Sequence, residues 1–153
     1  MARCRSCFKS GLFIKINKNG FCPKCEEIYK RNMIDYLSQY QNRITERKTN
    51  YYFNLAGIDQ KNHDTGIFRQ KIINNSHVGE KLMIVLDQND TSGQETAKVI
   101  RFDGRQIGYL EKSEFSEEVK NQIKNMTFID ASISSIFGKK GNYGVKVNLT
   151  TYN

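Results

Sequence analysis

The chain of 153 residues has two histidines, one proline and four cysteines, and all four cysteines stand near its start. Each scarcity excludes something. No apolar run approaches the ~18 residues that would suggest a membrane-spanning helix. His63 and His77 fall in polar stretches and form no nucleophile–base pattern, so an enzyme is not expected. The glycine-rich motif that cradles nucleotide phosphates is missing, which excludes an ATPase of that kind. No apolar leader precedes Cys4, so a cytoplasmic protein is expected.

What is present begins with Cys4-x-x-Cys7 and Cys22-x-x-Cys25. A two-residue gap lets one tight turn present two sulfurs to one ion, and Zn²⁺ favours four tetrahedral sulfur or nitrogen ligands. The spacing falls in the range of such paired knuckles. It predicts one structural Zn²⁺ per chain, held by Cys4, Cys7, Cys22 and Cys25. Two disulfides are the alternative use of four cysteines, and the expected reducing compartment argues against them. Residues 1–27 then form a zinc ribbon, with a short hairpin of Leu12–Ile16, a turn at 17–20 and Phe21. A closed four-cysteine site stabilises a small domain and leaves no open position for catalysis.

Charge is unevenly placed. Residues 1–50 hold 11 Lys and Arg against 4 Asp and Glu, and residues 51–153 hold 13 against 12. Four thiolates and one Zn²⁺ would bring the first part from +7 to +5. A basic lobe beside a nearly neutral one is a footprint for a polyanion.

Residues 28–50 read as a connecting amphipathic helix and linker. Tyr29, Met33, Tyr36, Leu37, Tyr40 and Ile44 recur at helical spacing and form one packing stripe. Thr45–Asn50 is a polar boundary. Residues 51–153 turn to β patterning, with strands expected at Tyr51–Ala56, Ile67–Ile73, Leu82–Leu86, Ala97–Phe102, Arg105–Leu110, Met126–Ile136 and Tyr143–Thr151. Asp103-Gly104 marks a hairpin. A helix begins at Ser113 as N-cap, with Phe115, Val119 and Ile123 on one face. The loop Phe137–Asn142 joins the last two strands. The class is mainly β with helices, a small barrel or sandwich of about six strands with one or two short helices.

The segment from Phe53 to Thr151 resembles the HIRAN domain. The resemblance rests on Leu55-Ala56-Gly57, on Ala97-Lys98-Val99, on Asp103-Gly104-Arg105-Gln106-Ile107-Gly108-Tyr109-Leu110 running into a helix, and on Phe137-Gly138. It implies an oligonucleotide-binding-like β-barrel that binds single-stranded DNA, with a helicase, nuclease or other DNA-processing protein as partner. It also places Tyr109 and Phe137 beside the binding groove. Where the family usually has Asn-Pro-Tyr-Asp, this chain reads Gln88–Thr96, so no strong preference for a free 3′ end is expected. Single-strand binding needs aromatic stacking faces and cations along the phosphates. Phe68, Tyr109, Phe137 and Tyr143 are the candidate faces, each with core packing as its alternative role. Arg69, Lys71, Arg101, Arg105, Lys112, Lys139 and Lys140 are candidate phosphate contacts, joined by Arg3 and Arg5 in the basic first third. A non-enzymatic protein-interaction adaptor of a replication, repair or phage-defence system is the second reading.

Overall fold

A computed structural model describes residues 2–43, 46–87 and 95–152. Nine elements follow one another: α1 Pro23–Gln41, β1 Lys48–Ala56, α2 Arg69–Asn74, β2 Lys81–Asp87, β3 Thr96–Arg101, β4 Gln106–Leu110, α3 Ser116–Lys124, β5 Ile129–Lys139 and β6 Asn142–Tyr152. The six strands close into a barrel in the order β1-β4-β3-β2-β5-β6, every pairing antiparallel. Closure gives each described strand a neighbour on both sides, which removes a template for unwanted strand addition. Phe53, Val99, Ile107, Ile133, Val145, Val147 and Leu149 fill the interior, with Ile72 and Ile73 of α2 and Val119 of α3 as plugs.

The stripe on α1 packs as its spacing implies. Tyr29 lies against Phe21 and Phe102, Tyr36 against Phe102 and Phe128, and Tyr40 against Tyr152. Asn32 Nδ2 donates to the Phe102 carbonyl at 2.7 Å. The helix starts directly after Cys22, with Pro23 in its first turn, where a missing N–H costs nothing. Leu37 stays partly exposed, and Ile44 lies outside the described residues.

Several expected boundaries differ. Residues 67–73 are not a strand. Arg69, Ile72 and Ile73 are the buried positions, a spacing of three and four that belongs to a helix. An arginine among the buried members obscures that pattern in the sequence. β1 begins inside the expected linker, where Asn50 Oδ1 accepts from Thr150 Oγ1 at 2.7 Å. Ser113 is not the cap of α3. Its Oγ accepts from the Phe115 N–H and its carbonyl accepts from Ser116 Oγ, making a turn that delays the helix to Ser116. β5 and β6 run through most of the expected 137–142 loop, leaving Lys140 and Gly141 as the turn, with Lys139 paired to Asn142. Gly141 has φ +88°, a conformation suited to glycine.

No strand hairpin forms between the cysteine pairs among the described residues. Ile14 and Ile16 turn onto the cysteine cluster instead, and Asn17 Oδ1 accepts from the N–H groups of Asn19 and Phe21. The side chain of Asn17 thus replaces a cross-strand ladder as the organiser of the turn.

Candidate metal centre and nucleic-acid interface

The four cysteine sulfurs all lie within 4.8 Å of one another, and none forms a disulfide. A tetrahedral ion with metal–sulfur bonds of about 2.3 Å needs sulfurs about 3.8 Å apart. Cys7 Sγ and Cys22 Sγ stand 3.8 Å apart. The backbone N–H groups of Ser6 and Cys22 donate to Cys4 Sγ at 3.4 and 3.3 Å. Burial alone would push the Cys4 thiol up, but these and the other backbone N–H groups outweigh it and bring it down to about 7. Burial pushes Cys25 up to about 12 and also raises Cys7. The donor set therefore fits a metal ion that takes thiolates, and such an ion would supply the positive charge that favours the ionised form of Cys7 and Cys25 beside Cys4.

The cluster is tied to the barrel through charge. Arg5 Nη2 donates to the Asn75 carbonyl at 3.1 Å and to Glu80 Oε1 at 3.2 Å. Arg105 Nε donates to Ser6 Oγ at 3.2 Å. These contacts change two expectations. Arg5 is committed to Glu80, and Arg105 stands at the cysteine lobe instead of on the barrel wall. Arg3 is exposed.

Two other expected phosphate contacts are structural. Arg69 is 2% exposed, with Nε donating to Asn62 Oδ1 at 2.8 Å and Nη1 donating to the Gly57 carbonyl at 2.8 Å. Its guanidinium lies 5.0 Å from the centre of the Tyr109 ring, so it covers one face of that tyrosine and fixes its plane. Arg101 is fully buried between Asp103 and Glu80 and also donates to the Ile72 carbonyl and Ser76 Oγ. Both arginines satisfy buried acceptors, a role that net charge in the sequence cannot reveal.

Tyr109 and Phe137 do not share a wall. Tyr109 is on β4 and Phe137 on β5, three strands apart in the ring. They do share a rim. Tyr109 pairs with Ala56 at the end of β1, and the same end of β1 meets the start of β6 through Asn54 and Lys146. Three strand spacings, from β4 through β1 and β6 to β5, make about 14 Å around the barrel. Phe137 is 53% exposed and lies over Gly144, and Lys139 and Lys140 extend beyond it. The segment before α2 and the first turn of α2 occupy the same end: Asn62 Nδ2 donates to the Gln106 carbonyl, and Gln70 exchanges hydrogen bonds with the backbone of Tyr143. Here Phe68 is 52% exposed with Lys61 Nζ 4.8 Å from its ring. Nothing in the sequence singles out Lys61, and only the bridge between Lys61 and Phe68 brings the two together. Lys71 sits over Phe8 on the cysteine lobe. Lys112 is exposed near α3, away from this rim in the chain order, and interacts with other groups. Most of the loop that departs from the family pattern, residues 88–94, lies outside the described residues.

No protein-family model and no curated protein matches the sequence. Two solved structures are similar in shape. The crystal structure of the HIRAN domain of human HLTF superposes with a TM-score of 0.50 at 17% identity, over 68% of this chain and 75% of that one. A crystal structure of a protein from Lactobacillus plantarum gives a TM-score of 0.50 at 6% identity, over 69% of this chain and all of that one. At these identities the likeness is one of fold. No helix among the described residues is long and apolar enough to cross a membrane.

Proposed function

We propose that the chain is a non-catalytic nucleic-acid-binding module, a HIRAN-like barrel with one structural Zn²⁺, that binds single-stranded nucleic acid with little sequence preference. One observation carries this reading. Two half-exposed phenylalanines, Phe68 and Phe137, share a barrel rim with Tyr109 and with Lys61, Lys139 and Lys140, and these three lysines form no ion pair among the described residues. Stacking faces interleaved with unpaired cations are what a single strand requires. The barrel shape shared with the HLTF HIRAN domain supports the same reading. Single-stranded DNA is the expected form, in the service of a helicase, nuclease or other DNA-processing partner.

Fluorescence anisotropy with single-stranded, duplex and recessed-end oligonucleotides tests it. Single strands should bind best, with affinity falling steeply as salt rises. Tyr109→Ala should weaken binding roughly tenfold or more, the scale of stacking by one base. Elemental analysis should find one zinc per chain, and metal-free protein with a disulfide would overturn the metal assignment. The adaptor reading draws on Ile34 and Leu37 of α1, 67% and 46% exposed. It gains if no oligonucleotide binds even at low salt.

A further inference from the structure

Between the cysteine lobe, the start of α1 and the segment before α2 lies a groove of about 570 Å³. Cys7, Cys22 and Cys25 line its inner wall, Phe13, Ile28 and Ile67 give it apolar edges, and Lys9, Lys24 and Arg105 stand along it. No carboxylate lines it among the described residues. None of the three cations forms an ion pair among the described residues. Phe13 is 98% exposed, and Leu12 beside it 86%. A phenylalanine held out at a loop tip gains nothing for the fold, because exposed apolar area contributes no burial energy. Ile67, which lines the groove, directly precedes Phe68 of the barrel rim, so the groove edge and the rim are continuous along the chain.

We infer that this groove is a second subsite for the same single strand, resting on the function proposed above, with Phe13 as a stacking face and Lys9, Lys24 and Arg105 as phosphate contacts. Continuity decides the occupant. A single strand offers an apolar base face and a negative phosphate at every nucleotide, so one polymer satisfies rim and groove alike. An acidic peptide with apolar anchors would fit the groove but would not account for the rim. Asp64 is exposed beside Thr65 at the groove edge and sets a local repulsion that the three cations outnumber. The composite path extends the site from the barrel to the cysteine lobe and makes metal-held structure part of the binding surface.

The test compares oligothymidylates of about 6 and about 18 nucleotides, the first within and the second beyond the footprint of one such barrel, on the full zinc-loaded chain. Phe13→Ala removes no packing, so any weakening of binding is not a failure of the fold. It should weaken the 18-mer by tenfold or more and leave the 6-mer unchanged, while Phe68→Ala weakens both. Lys9→Gln with Lys24→Gln should lower the salt slope for the 18-mer by about 1.4, that is about 0.7 for each phosphate no longer neutralised on a single strand. If neither groove variant changes the 18-mer while Phe68→Ala weakens both lengths, the subsite is overturned and the rim reading stands. If wild-type protein binds neither length at low salt, the function itself fails and takes the subsite with it. Phe13-dependent binding of a labelled peptide of alternating Glu and Leu, with no oligonucleotide binding, would assign the groove to a protein partner instead.

Discussion

Single residues here carry roles that their chemical type alone does not announce. Arg101 is surrounded by the carboxylates of Asp103 and Glu80 in a fully buried position. Replacing it with methionine would fill the space but leave two buried negative charges without this partner. Removing one member of a buried ionic group typically costs about 3–5 kcal/mol, so Arg101→Met should lower stability by that order in urea denaturation. Arg101→Lys should recover only part, since an ammonium cannot reach both carboxylates in a planar fork. Gly144 illustrates the opposite case. A Cβ there would overlap the Phe137 ring. The ring is half exposed and can swing away, so Gly144→Ala should fold normally yet displace the proposed stacking face. Oligonucleotide titration should find it as weak as Phe137→Ala. Equal binding by Gly144→Ala and wild type would remove Phe137 from the site.

At the scale of elements, the cysteine lobe is the part least able to stand alone. Its buried members are Cys4, Cys22, Cys25 and Phe21, with Cys7, Ile14, Ile16 and Tyr29 alongside. The barrel has its own apolar interior. Cys22→Ser or chelation should therefore disorder residues 2–22 and fray the first turn of α1, while the barrel stays folded. The barrel should also melt a few degrees lower, because Arg5 no longer pairs with Glu80 and about 1 kcal/mol is worth ~4–8 °C in a domain of this size. Hydrogen exchange across β1–β6 reports whether the barrel survives, and wholesale loss of its protection would make lobe and barrel one folding unit. The cysteine cluster is legible in the sequence because spacing encodes ligand geometry. So are the Asp103–Gly104 hairpin, whose turn chemistry is local, and the tyrosine stripe of α1. Residues 67–73 mislead because hydropathy treats Arg69 as a surface residue, and the hydrogen bonds that bury it come from Gly57, Gln60 and Asn62, which lie outside the periodic window. The separation of Tyr109 from Phe137 is hidden because strand order around a closed ring is not written in any one strand.

Over the whole molecule, two groups of lysines contrast. Lys81, Lys98, Lys120 and Lys124, on β2, β3 and α3, are paired with Asp130, Asp87, Glu117 and Glu95. Lys9, Lys24, Lys61, Lys139 and Lys140, on the cysteine lobe and the barrel rim, form no ion pair among the described residues. A neutralised lysine has little to give a phosphate, whereas an unpaired one releases condensed counterions from the strand it meets. Two double variants separate this local effect from bulk charge. Lys139→Gln with Lys140→Gln, and Lys120→Gln with Lys124→Gln, each lower the net charge by two. Only the first should cut the slope of log affinity against log salt, by about 1.4 on a single strand. The second should leave that slope near wild type and slightly increase electrostatic repulsion from the strand, since Glu117 and Glu95 lose their partners. Equal changes in both would mean that the strand responds to the protein's overall field and not to a defined face, and the rim would then lose its claim as the binding surface.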